Sequence, residues 1–396
     1  MPAKSGLSAK SASAKSASDK TGVAKAPSAA RLVRMARAEL PMIAGVVTTA
    51  LVFTVGHGHV TSFGHLGVTG AMFGWMFVVM IWCAFGVVRH AEALAEHFGE
   101  PYGTLILTLS VVTIEVAIMA TVMLTGDPNP TLPRDTVFAV LMIVLNGMVG
   151  VSIIVGALRH QQQQYSLQGA VAFLAVITSL AVISLIIPTF TRSTPGSDVT
   201  SAQAAAFAVL TTLLYAGFLA IQTMRHRAFF AEAETVAEEQ VAHAGGYPVW
   251  GHAVLLVLTL LPVVLLAHPL AGIIDFGLEE LHAPTTLGGI IIAVLVLSPE
   301  GMSSYKAAAH NHLQRSVNLS LGSALSTIGL TIPAMLIISL FTGVPLQLGL
   351  PPAEAILLGL TLVVSQMTFS GAPTNILLGG VHLVLFATFI VLIFNP

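Results

Sequence analysis

Charge is what this sequence has least of: Asp, Glu, Lys and Arg together make up 9% of its 396 residues, against roughly a quarter in a soluble domain. With 55% hydrophobic residues and a mean hydropathy of +0.87, the chain reads as an all-α polytopic membrane protein, for which no nucleic-acid partner is expected. Cysteine is almost absent as well. Cys83 stands alone, which excludes an intrachain disulfide framework and any cysteine-rich metal site. A zincin-type HExxH motif and any His–carboxylate cluster within a span are also missing, so a membrane-embedded metalloenzyme lacks its usual signature. The opening segment, with "AKSASAKSAS", carries charges but no apolar h-region followed by an A-x-A site, and is not read as a cleavable signal peptide.

What the sequence does have is apolar runs. Stretches near the roughly 20 residues that cross a bilayer number eleven, at about 40–55, 66–88, 102–125, 135–158, 167–190, 203–224, 250–268, 285–308, 316–343, 353–370 and 374–394. The first and tenth are short. The expected organisation is a disordered basic cytoplasmic tail at 1–38, a first transmembrane helix within 39–60, five helices in 61–228, an acidic cytoplasmic linker at 229–248, and five more helices in 249–396. The tail reads as a solvated segment, with anionic lipid headgroups as the sharper alternative.

Orientation follows from the cations, because cytoplasmic loops retain Lys and Arg. With the N-terminus inside, 14 of the 16 Lys and Arg residues fall on the cytoplasmic side, and only Arg134 and Arg192 fall outside. That places the C-terminus outside, in an inner (cytoplasmic) membrane. The linker "AEAETVAEEQVAHAGG" carries Glu232, Glu234, Glu238 and Glu239, a solvated stretch or a cation-collecting field. Five spans precede it after the first, and five follow. Because five is odd, the second set starts on the opposite side, so two related halves would form an inverted repeat.

The 18 acidic residues can all be assigned to tails, loops and the linker except two, Glu115 and Glu300, each within the second span of its half. A charge near the bilayer centre costs about 2.5 to 3.5 kcal/mol on insertion scales, and no Lys or Arg lies at their depth. Such carboxylates persist if protonated or if they share a bound cation. Nearby oxygens suit a hard cation such as Ca²⁺, Na⁺ or K⁺. Pro299 removes the helical donor from the Leu295 carbonyl. Ser298, Ser303 and Ser304 lie near Glu300, Ser110 and Thr113 flank Glu115, and Asn146 supplies an amide in the following span. A single Ser or Thr is more often bonded back to its own helix.

"VVRHAEALAEHFGEPYGTLILTLSVVTIEV" and "LVLSPEGMSSYKAAAHNHLQRSVNLSLGSALSTIGLTIP", with the acidic linker, resemble the bacterial sodium-potassium/proton and calcium/proton antiporters of the calcium/cation antiporter superfamily. The resemblance runs from about residue 40 to near the end. It implies eleven spans as one helix plus two inverted five-helix repeats, each repeat giving an acidic residue to a central cation site. The matching positions are Glu115 and Glu300. Many superfamily members carry G-N-x-x-E in each repeat, whereas "SVVTIE" and "LSPEG" here lack the Gly-Asn pair.

The expectation is a secondary antiporter, with inorganic cations and protons as its transported species and no cofactor. In each open state Glu115 and Glu300 bind either cation or protons. A cation exchanger not coupled to protons is the alternative within transport. His57, His59 and His65 in "HGHVTSFGH" read as incidental external histidines, with transition-metal binding as the alternative. His310 and His312, near the cytoplasmic end of the Glu300 span, read as interfacial residues or a proton sensor.

Overall fold

A computed structural model describes residues 29–54, 66–99, 102–125, 129–191, 199–225, 227–230 and 247–395. Most of the basic tail, the histidines at 57, 59 and 65, and the four linker glutamates lie outside the described residues. Within them the chain is helical, with one isolated bridge between Gln163 and Thr374 in place of any strand.

A short helix, α1 (Ala29–Ala38), leads into α2 (Leu40–Thr54). Then come α3 (Leu66–Phe98), α4 (Tyr102–Thr125), α5 (Leu132–His160), α6 (Leu167–Phe190), α7 (Ser201–Met224), α8 (Val249–Glu280), α9 (Thr286–Ala309), α10 (Leu313–Thr342), α11 (Pro352–Thr368) and α12 (Ile376–Phe394). Among the described residues nine of these are long and apolar enough to cross a membrane. The other two apolar helices, α2 and α11, have 15 and 17 residues, matching the two short runs in the sequence.

Two helices exceed expectation. α3 has 33 residues and α8 has 32, about 50 Å each at 1.5 Å per residue, well beyond the roughly 30 Å hydrocarbon core. The hydropathy of the sequence marks only the lipid-immersed part. Glu96 continues α3 past the apolar run, and Asp275, Glu279 and Glu280 continue α8. Pro262 and Pro269 sit inside α8 without ending it, both buried, as membrane helices tolerate where neighbours surround them.

Four helices carry a π-helical turn, at Ile143–Met148 in α5, Val182–Ile186 in α6, Ile221–Arg225 at the end of α7 and Thr327–Thr331 in α10. Such wide turns redirect side chains and recur at functional sites. Lipid-buried helices associate through close packing, which small residues permit. The crossing of α5 and α12 shows this: a methyl group added at Gly379 would stand 2.9 Å from the Gly150 carbonyl oxygen, and one at Gly150 would stand 3.1 Å from that of Gly379.

The buried apolar side chains form two groups. One joins α3, α4, α8 and α9, through residues such as Met80, Val87, Ile118, Leu266 and Leu295. The other joins α5, α6, α7, α10, α11 and α12, through Phe138, Phe173, Leu321, Leu358 and Phe389. Three helices serve both, α5 only through its first residue, Leu132, in the first group. α4 gives Ile114 and Ile118 to the first and Met119 and Met123 to the second; α9 gives Leu295 and Val296 to the first and Ala293 and Leu297 to the second. The seam between the two cores therefore runs along the helices that bear Glu115 and Glu300.

Candidate functional site

α4 and α9 each hold one carboxylate at mid-helix, and α10 packs against both. Glu115 is 2% exposed. Its Oε2 accepts a hydrogen bond of 3.0 Å from the Thr327 hydroxyl, while its Oε1 is buried with no partner. Glu300 is half-buried, and its Oε2 accepts from the Ser323 hydroxyl. Ser323 and Thr327 are four residues apart, about 6 Å along one face of α10. Each carboxylate is therefore held by a hydroxyl, and the two hydroxyls lie on consecutive turns of a single helix.

One turn further on, the Thr331 hydroxyl is buried and, like Glu115 Oε1, has no hydrogen-bond partner among the described residues. A buried acceptor and a buried hydroxyl are thus both unsatisfied. Buried polar groups almost always find a partner. Oxygen atoms of this kind suit a hard cation or a proton. The π-helical turn Thr327–Thr331 lies between these contacts and changes the register of the stripe.

The other oxygens selected from the sequence are placed differently. Thr113 is exposed and its hydroxyl donates to Leu109 O. Two residues from Glu115, it is turned by roughly 200° onto the opposite face of α4. Ser298 has the same offset from Glu300, and it donates to Val294 O. Ser110 is buried and bonds back to Ile106 O at 2.7 Å. Asn146, fully buried within a π-helical turn, is engaged elsewhere: its Nδ2 donates to Thr361 Oγ1 at 2.9 Å and its Oδ1 is 3.1 Å from His382 Nδ1. Ser303 is half-buried. Ser304, one turn below Glu300, meets the hydroxyls of Ser152, Ser316 and Ser320 at 3.2, 2.7 and 3.0 Å.

Ser323, Thr327 and Thr331 escaped the sequence reading, yet a signal existed. Hydroxyls at 316, 320, 323, 327 and 331 recur at steps of three and four along α10, which is one helical face. All five are buried.

Two acids at mid-helix, Glu115 buried and Glu300 half-buried, in the seam between two apolar cores are features of an ion-handling membrane protein. The chain matches the family described as sodium/calcium exchanger protein over residues 68–224 and 251–395, and it belongs to that family, within the calcium/cation antiporter superfamily. It is 42% identical over 309 residues to the protein y4hA of Sinorhizobium fredii, covering 78% of this chain and 84% of that one. It is 38% identical over 315 residues to the sodium-potassium/proton antiporter ChaA of Escherichia coli, covering 78% of this chain and 85% of the relative. The solved structure of native YfkE superposes with a TM-score of 0.69 at 16% identity, covering 90% of this chain and all of YfkE. That last likeness speaks for the fold alone.

Proposed function

We propose that this protein is a secondary antiporter that exports a cation, Ca²⁺ or Na⁺ and K⁺, in exchange for protons by alternating access at Glu115 and Glu300. The observation that carries the reading is the pairing of these acids by Ser323 and Thr327 on one helix, with Glu115 Oε1 and Thr331 Oγ1 left unpartnered. The one Lys or Arg within α4 or α9 is Lys306, in the last turn of α9, about 9 Å along the helix axis from Glu300. Two anions in such a setting can be neutralised by two protons or by one divalent ion, but not by both together. Competition for the same oxygens couples the two fluxes.

The hydroxyls serve both states. Against a bare carboxylate, Ser323 and Thr327 donate hydrogen bonds. With a cation between the acids, the same oxygens offer lone pairs. Alternating access fits the seam: if the two apolar cores rock as units, the site between them faces each side in turn.

The architecture proposed is eleven spans, the nine long helices plus α2 and α11, arranged as one helix followed by two inverted five-helix repeats. Its support is the matching position of the acids on α4 and α9 and of the π-helical turns in α5 and α10, the helices that follow them. The membrane is the bacterial inner membrane, with the N-terminus cytoplasmic. ChaA and YfkE are named as antiporters that exchange sodium and potassium, or calcium, for protons, which supports proton coupling over exchange without it. The test is a vesicle holding the purified protein and a pH dye, acid-loaded and challenged with Ca²⁺, Na⁺ and K⁺ in turn. Dye recovery ranks the substrates. No response to any of the three defeats the reading.

A further inference from the structure

A second buried cluster of titratable groups lies away from the two glutamates, where three helices meet at the end of the membrane-spanning region. Glu39 precedes α2, Arg89 and His90 lie on α3, and His252 lies in the first turn of α8. All but Arg89 are buried, with His90 1% exposed and His252 8%. Arg89 Nη2 donates to Glu39 Oε1 and Oε2 at 3.0 and 3.1 Å, and its Nη1 donates to the Ala38 carbonyl. His90 Nε2 lies 3.1 Å from Glu39 Oε2 and 3.1 Å from Arg89 Nη2. His90 Nδ1 lies 3.1 Å from His252 Nδ1. Tyr247 sets its ring edge-on to His252 at 5.6 Å. No group of three His, Cys, Asp or Glu among the described residues is arranged to hold a metal ion.

Two ring nitrogens at hydrogen-bond distance need one proton between them, one ring donating and the other accepting. Two neutral rings satisfy this, and so does one imidazolium beside one neutral ring. With both rings neutral, His90 donates to Glu39 and accepts from His252; as the imidazolium, His90 donates to both. A second imidazolium does not fit. All four ring nitrogens would carry N–H, and two donors would face each other at 3.1 Å with no acceptor, next to the Arg89 cation.

Two of the neighbouring groups, Glu39 and Tyr247, keep one charge state through the neutral range. Burial alone would raise the Glu39 carboxyl, but the His90 hydrogen bond and the charges of Arg89, His90 and His252 hold it below the ordinary carboxylate range. Burial and the Glu39 charge push the Tyr247 phenol up, so it stays neutral. Arg89 remains a cation.

The helices are pinned just beyond the cluster. At Gly86, one turn before His90, an added methyl group would stand 3.0 Å from Thr259 Cγ2 of α8 and 3.6 Å from Pro41 Cβ of α2. The ends past this crossing are tied by the polar cluster.

We propose that His90 and His252 form a proton-operated latch that joins the ends of α3 and α8 and opens when both rings are protonated. The cytoplasmic location of the latch, and its use, rest on the antiporter reading: protons accumulating inside would open it and slow further proton entry. The latch itself can be tested without transport.

The experiment uses the full chain, reconstituted in lipid vesicles with Cys83→Ser, and nitroxide labels on cysteines at the exposed positions Glu96 of α3 and Ala253 of α8. Between about pH 8 and about pH 5, the range that spans imidazole titration, the interlabel distance should lengthen in the parent. It should stay constant with pH in His252→Asn, and in His90→Asn where that variant folds. An unchanged distance in the parent, or a full lengthening in His252→Asn, overturns the latch. In a second arm, acidifying the side that bears these helix ends should inhibit exchange in the parent, and His252→Asn should lose that inhibition while keeping its rate at about pH 8. Inhibition that persists unchanged in His252→Asn overturns the regulatory role. Absence of exchange in every protein defeats the antiporter reading and leaves the distance measurement to decide the latch.

Discussion

Ser323 and Thr327, one turn apart on α10, donate hydroxyl hydrogen bonds to different acids, Ser323 to Glu300 and Thr327 to Glu115. A single helix thus reads the state of both carboxylates. Hydrogen bonds to charged groups contribute about 1.5 to 3 kcal/mol, so Ser323→Ala and Thr327→Val should each raise the apparent KM for cation by about tenfold or more. Thr327→Ser, which keeps the hydroxyl, should stay near the parent. Cation-dependent dye recovery in vesicles measures this, and an unchanged KM in both hydroxyl-less variants would remove α10 from the site.

The orientation makes a separate prediction. On a Cys83→Ser background, a cysteine at Ser201, exposed at the start of α7, should react with an impermeant thiol reagent added outside intact cells. A cysteine at Gln162, exposed between α5 and α6, should not. Labelling in the reverse pattern would invert the proposed topology.

How much of this was legible beforehand follows from what each signal depends on. Apolar runs and buried acids are properties of single segments, so the spans and the pair Glu115 and Glu300 could be picked out without coordinates. Partners could not. A Ser or Thr in an apolar helix is ambiguous between bonding its own backbone, as Ser110 and Thr113 do, and reaching another helix, as Thr327 does across 212 residues. The face on which a hydroxyl lies was computable. Thr113, two residues from Glu115, could have been rejected on helical angle alone, and the stripe from Ser316 to Thr331 could have been found by the same count. The Glu39, His90 and His252 contacts span 51 and 162 residues, and nothing local marks them.

Glu39 predicts a pH effect on stability. Its carboxyl is held below the ordinary value of 4.5 in the folded state. Its contribution is therefore present above pH 4.5 and is lost as pH falls through the folded-state value. Glu39→Gln should lower the melting temperature by an amount that is constant above that pH and shrinks below it. Thermal unfolding of both proteins in detergent across an acid series checks this, and a difference that grows on acidification would contradict the sign.

Packing at the α5 and α12 crossing should be intolerant. Gly379→Val would force a side chain against the Gly150 carbonyl and the Ile154 amide nitrogen, 2.9 and 3.1 Å from the added methyl position. Overpacking of this kind costs about 1 to 3 kcal/mol. The melting temperature should fall. The cation ranking should not change, because this crossing does not include either acid.

The acids themselves give the sharpest test. Glu115→Gln and Glu300→Gln keep the size of the side chain and leave an amide oxygen to accept from Thr327 or Ser323, but they remove the titrating charge. A neutral amide is easier to insert in a membrane than a carboxylate, so both variants should reach the membrane in normal amounts. One remaining carboxylate can exchange at most one proton and holds a divalent ion poorly. Proton-coupled exchange should therefore fall to background in both. In the parent, lowering pH should raise the apparent KM for cation, because protons occupy the oxygens that the cation needs. The measurement is exchange at matched protein amount across a pH series. Near-parent activity in either variant, with the parent's pH dependence, would show that its carboxylate is not shared between cation and proton.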